Sequence, residues 1–202
     1  ISAVGLANNH IQDKGNEGII ETVNHLAEGD ILGFGGGVNL EQSKKAVSLT
    51  PEVVILGYCD YDKPYLRKVV VATEDTPGVN PLKLSNIIED LDKLSPNEKA
   101  VLYFHWGVEH VWLPRTSDIS MVKQLLEHEK VLLIVGMHAH RAQGYIEHNG
   151  KRAYMCLGNF LFPNFFMLPP NQLCNNPENV ETYDVTKQYH RVDKITYKMW
   201  RW

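Results

Sequence analysis

Short apolar runs alternate along this chain with segments of helical periodicity, and that alternation leaves few architectures open. Lys130 to Val135 is the clearest run: apolar and too short for a buried helix, it reads as an interior strand. Ser2 to Leu6, Ile31 to Phe34, Val53 to Tyr58, Ala100 to Phe104 and Arg152 to Leu157 read the same way. Between them lie helical stripes. Ile19, Ile20, Val23 and Leu26 share one face of a helix over about 17–27. Leu84, Ile87, Ile88, Leu91 and Leu94 form a second stripe, and Ile119, Val122, Leu125 and Leu126 a third that opens at Thr116-Ser117-Asp118. Asn80-Pro81 predicts the start of the second helix, with Asn80 as N-cap and Pro81 in the first turn, and Ser95-Pro96 marks its end. Asn149-Gly150 predicts a hairpin turn. An α/β fold follows, and in such folds sites are built at the C-terminal ends of strands.

The polar residues collect at those ends. Gly136-Met137-His138-Ala139-His140 leaves the strand that closes at Val135, and the glycine is expected to let the backbone bend so that both imidazoles turn to one side. Asn8-Asn9-His10 follows the first strand and His105-Trp106-Gly107 the fourth. Neutral imidazole is the commonest side-chain ligand of first-row metals. Each motif also has an ordinary reading. Asn-Asn is good turn chemistry, and His105 fits a buried imidazole bonded to a carbonyl. Asp60 and Asp62, after the third strand, read as turn formers in a solvated loop. Gly35-Gly36-Gly37 lacks the following Lys-Ser/Thr of a phosphate cradle and reads as a flexible turn. Arg141, next to His140, could meet an anionic substrate but reads first as a surface arginine, and His25, His110, His128, His148 and His190 read as ordinary polar positions.

Composition narrows the function classes. A net charge of -4 gives no electrostatic reason to expect nucleic acid, and no apolar run approaches the length of a membrane span. The 3 cysteines, Cys59, Cys156 and Cys174, show no C-x-x-C spacing, which argues against a sulfur-ligated zinc site. Cys156 reads as a small core residue; Cys59 and Cys174 could pair with each other or with another chain. From Asn159 onward the sequence is rich in proline, asparagine and aromatics. The expected organisation is a domain over 1–162 and an irregular tail over 163–202 packed on it.

Taken in order, Leu6-Ala7-Asn8-Asn9-His10 with Asp13 and Gly15, His105-Trp106-Gly107 with Glu109, Gly136-x-His138-x-His140 with Gln143-Gly144, and Leu157-Gly158-Asn159-Phe160 resemble the CapA family. These are bacterial capsule and poly-γ-glutamate synthesis proteins, a branch of the calcineurin-like metallophosphoesterase superfamily. The resemblance runs from Ile1 to about Phe162. It implies an α/β sandwich of two mixed β-sheets flanked by helices, with a metal site at the strand ends. It further implies Asn9, His105, His138 and His140 as ligands of one or two divalent ions (manganese, iron or zinc), and His10 as the group that protonates a leaving group or grips substrate oxygens. Glu109 would bind substrate or orient a ligand histidine. The partner implied is an anionic polymer such as poly-γ-glutamate, or a phosphoester, and the location the cell surface.

Family members carry Gly-Asp and a second acidic motif upstream of Asn-Asn-His, and this chain opens after both. It is therefore expected to be N-terminally incomplete, with carboxylates supplied by a separate segment or chain. A neutral ligand set leaves two adjacent cations without a bridging anion. Asp60, Asp62 and Glu109 are the nearby acidic side chains. A metal-assisted hydrolase or transferase and a non-catalytic polymer-binding scaffold both follow from this pattern, as does a general phosphoesterase.

Overall fold

Near-continuous apolar runs build the central sheet, because a strand buried on both faces must satisfy two layers at once. The computed structural model describes residues 1–61, 63 and 69–160, together with the backbone of short strands at 165–168, 172–175 and 190–191. The strands of the main sheet are β4 (Val47–Thr50), β5 (Val53–Cys59), β7 (Lys99–His105), β8 (Val131–Met137), β9 (Ala142–His148) and β10 (Lys151–Leu157). Their spatial order is β4-β5-β7-β8-β10-β9. The four inner strands run parallel, and each edge strand pairs antiparallel with its neighbour. The fold is therefore mixed α/β, with a six-stranded mixed sheet flanked by helices.

One face of that sheet is covered by α3 (Leu84–Asp92) and α4 (Thr116–Glu127). Val54, Leu56 and Tyr58 of β5 and Ala100, Leu102 and Phe104 of β7 meet Ile87 and Leu91 of α3 and Val122, Leu125 and Leu126 of α4 in one buried cluster. The stripes read from the sequence are the faces buried here. The opposite face carries β1 (Ala3–Gly5) paired parallel with β2 (Leu32–Phe34), and β3 (Gly36–Gly37) paired antiparallel with β6 (Gly78–Val79). Phe34 meets Tyr103 of β7 edge to face at 5.5 Å. Gly57 lies so close to the Gly35 backbone that a Cβ there would come within 2.9 Å of the Gly35 Cα. The small pairs dock here on the main sheet, and α1 (Gly15–Glu28) covers them with Ile19 fully buried and Ile20 exposed.

Several local expectations are overturned. Gly35-Gly36-Gly37 is no flexible turn, because Gly36 and Gly37 are a buried strand pressed against Leu6 and Gln42. Asn80 is not a cap. Its backbone joins Gly35 to Cys59, its side-chain amide donates to the Gly57 carbonyl, and α3 starts four residues later behind Lys83. A fully buried Asn is worth more as a cross-link between layers than at a solvent-facing helix end. Asn39 caps α2 (Leu40–Lys44), a helix the periodicity did not reveal. Cys59 is a buried free thiol, Cys156 is buried as expected, and the side chain of Cys174 lies outside the described residues. Asn149 and Gly150 take positive φ values of 52° and 70° and close the β9–β10 hairpin. Within 163–202, expected as an irregular tail, three short strands form a sheet of order β12-β11-β13, with β11 at Phe165–Leu168, β12 at Gln172–Asn175 and β13 at His190–Arg191. The boundary at 162 lies outside the described residues.

Candidate metal centre

Parallel pairing in register brings three strand ends to one edge. Cys59 sits beside His105, and His105 beside Met137, so the residues that follow β5, β7 and β8 emerge side by side. Asp60 leaves β5 with its amide bonded to the His105 carbonyl. The loop after β1 arrives at the same edge from the other layer and delivers Asn9, whose Oδ1 lies 2.9 Å from His105 Nε2. The His105 and His138 rings are 4.6 Å apart, and His138 and His140 6.3 Å. Asn9, His105, His138 and His140 are thus neighbours in space, as the sequence motifs imply.

The backbone reaches this arrangement at a cost. Gly136 does not provide the bend expected of it. It lies inside β8, where a Cβ would sit 2.0 Å from the Met155 carbonyl oxygen and 2.5 Å from Trp106 Nε1. Its missing side chain makes room for the Trp106 indole, which donates to that same carbonyl. The turn is made instead by His138 and His140 at φ values of 92° and 55°. Residues with a Cβ rarely adopt that region, at about 1–3 kcal/mol each, and such strain concentrates at functional sites.

Burial keeps the imidazoles neutral. Loss of solvent, with the neighbouring histidines adding to it, pulls His105 down to about 3. Desolvation likewise lowers His138 to about 4, although the Glu109 carboxylate pulls the other way. Among the described residues His138 Nε2 is buried with no hydrogen-bond partner. His140 Nδ1 is held by Asn159 Oδ1 at 2.9 Å, which puts its proton on that nitrogen and leaves Nε2 with a lone pair. His10 is exposed, with Nδ1 2.8 Å from Asp13. Glu109 Oε1 is 4.0 Å from His138 Nδ1 and the carboxylate is half-exposed.

These donors fit a first-row cation in chemistry: Asn9, His105 and His138 are buried, burial favours the neutral ring of His105 and His138, and among the described residues His138 Nε2 has no partner. They do not yet form a closed set. Among the described residues no three His, Cys, Asp or Glu side chains converge closely enough to hold an ion. His105 and Asn9 satisfy each other through the Nε2 proton, and both could serve as ligands only if that proton moved to Nδ1. Asp60 is not in a solvated loop. It is buried and engaged by Arg115 at 2.9 Å, with Lys63 3.9 Å away. Asp62 lies outside the described residues.

Comparison with known sequences decides the kinship. The family of bacterial capsule synthesis proteins termed PGA_cap matches residues 1–164. The chain belongs to this family. It is 27% identical over 161 residues to the PGA biosynthesis protein CapA of Bacillus subtilis, a match covering 77% of this chain and 41% of that protein. The capsule biosynthesis protein CapA of Bacillus anthracis is 25% identical over 166 residues, covering 80% and 40%. A probable polyglutamine synthesis accessory protein of Mycobacterium tuberculosis is 26% identical over 159 residues, covering 72% and 41%. The chain spans about two fifths of the length of these PGA_cap relatives.

Two residues beside this candidate site in the PGA_cap chain sit differently from the first reading of the sequence. His110 is no ordinary polar position: its amide bonds the Ala139 carbonyl, its φ is 64°, and its ring stacks on His140 at 5.8 Å. Arg141 is no surface arginine. It is buried beneath the Trp112 ring, 4.6 Å from the centroid. The signal for both was weak, since neither residue has a partner at a fixed sequence spacing. Only the docking of the loop after β7 onto the turn after β8 brings them in.

Proposed function

We propose that this chain takes part in making or exporting an anionic cell-surface polymer of the poly-γ-glutamate type, through a metal-assisted hydrolytic or transfer site. The names of its relatives support the polymer. The observation that supports the chemistry is the His138 Nε2: buried, unpartnered and held neutral beside His105. A buried nitrogen left without a hydrogen bond costs about 1–3 kcal/mol, and an ion ligated there removes that cost. Asn9, His105, His138 and His140 would hold the ion. Such an ion, when bound, polarises a phosphoryl or carbonyl oxygen and stabilises the charge that develops there.

The chain's own residues have separate tasks. Asp13 fixes the His10 ring through Nδ1, leaving Nε2 to pass a proton to a leaving group. Asn159 fixes His140 in the same way. Glu109, within reach of His138, orients that ring or meets substrate. A carboxylate from a separate segment or chain would complete the ligand set and balance its charge. Among the described residues no helix is long and apolar enough to cross a membrane.

A second reading is favoured by one observation: no three metal-holding side chains converge among the described residues. On that reading the chain binds polymer without cutting it. The two separate on incubation of the manganese-, iron- or zinc-loaded chain with poly-γ-glutamate and with a panel of chromogenic phosphate esters. Metal-dependent shortening of the polymer, abolished in His138→Ala, supports the first. A metal-free protein that binds polymer and leaves it intact supports the second. Turnover of the esters alone points to a general phosphoesterase.

A further inference from the structure

Among the described residues Arg141 is a buried cation without a counter-ion. Among the described residues its Nε has no hydrogen-bond partner, and none of the ion pairs includes its guanidinium. Other buried charges of the chain are paired: Asp60 with Arg115 and Lys63, Asp118 with Arg115, and Asp90 with Lys44 and the Tyr58 hydroxyl. A guanidinium whose Nε is cut off from water without a partner is costly, and the Trp112 face above it offsets only part of that cost. The side chain is also held in place. Gly158 packs against the Arg141 backbone, and Gln143 donates to the Val111 carbonyl at 2.8 Å, tying down the loop that carries Trp112.

We propose that Arg141, held under Trp112 and next in the chain to His140, is the anchor for an anionic oxygen group of the substrate, a carboxylate or a phosphate. The planar guanidinium offers paired donors that match two oxygens of either group, and Arg141 directly follows the candidate ligand His140 in the turn after β8. This rests on the reading of an anionic substrate given above, but it needs no metal. The experiment is therefore run in chelator, so that failure of the metal site and failure of the anchor are told apart.

The probes are a γ-linked glutamate oligomer, inorganic phosphate and a glutamine oligomer of equal length as the uncharged control. In the unaltered chain the 15N–1H resonance of Arg141 Nε is expected to shift and saturate with the glutamate oligomer, with phosphate, or with both. A carboxylate source is indicated by the first alone and a phosphoryl source by the second alone. The glutamine oligomer is expected to leave it in place. Arg141→Gln should weaken binding of the active probe about tenfold or more, and Arg141→Lys should weaken it less, since lysine keeps the charge and loses only the paired donors. An Nε resonance that moves with no probe, or equally with the uncharged oligomer, overturns the proposal. So does full affinity in a folded Arg141→Gln.

Discussion

Two buried polar clusters lie at the same edge of the sheet, and they are built on opposite terms. In one, Arg115 reaches Asp118 at 2.7 Å and Asp60 at 2.9 Å, so that each buried carboxylate has a cation. In the other, His138 Nε2 and Arg141 Nε are buried without partners, and His138 and His140 hold strained backbone conformations. The first cluster ties α4 to the end of β5 and is complete within the chain. The second carries costs of burial and strain that its partners among the described residues offset only in part, the pattern expected of the ligand site proposed above.

The contrast can be broken from either side. Arg115→Met leaves Asp60 and Asp118 buried without their shared cation and should cost about 3–5 kcal/mol in urea unfolding. Arg141→Met removes an unanswered charge and should cost little or even stabilise. Equal losses in the two variants would erase the distinction between the clusters.

Acid should act through the second cluster. The folded-state values of about 3 for His105 and about 4 for His138 lie below the ordinary 6.5, so below pH 6.5 the unfolded chain binds the extra protons. Stability is then full above pH 6.5. It falls as the pH drops toward 4, at up to about 1.4 kcal/mol per pH unit for each imidazole. Denaturation of the metal-free chain across this range measures the slope, and Asn in place of both histidines should flatten it.

A smaller effect sharpens the comparison. Gly136→Ala drives a methyl into the Met155 carbonyl and the Trp106 indole, and should cost about 1–3 kcal/mol by forcing β8 and β10 apart. Because this spacing also sets where His138 emerges, metal affinity should fall in parallel with stability.

Much of the fold was legible because burial imposes a period. Leu102, Phe104, Ile87, Leu91, Leu125 and Leu126 recur at strand or helix spacing, and each is fully buried where the pattern puts it. The short elements were not legible, since Gly36–Gly37 and Val47–Thr50 are held by partners distant in sequence. The candidate ligands were visible because they follow strands directly. His110 and Arg141 were not, because their surroundings arise only when the loop after β7 closes over the turn after β8. Gly136 shows a third case, in which the right residue was singled out for the wrong reason: it makes space for an indole and leaves the bending to the histidines.

Metal binding by the chain tests the central claim most directly. Calorimetric titration of the chelator-treated chain with manganese, iron and zinc, beside His138→Ala, should show uptake approaching one ion per chain in the former and at least a tenfold weaker association in the latter. A chain that binds none of the three ions, or a folded variant that binds them as tightly as the original, would contradict it.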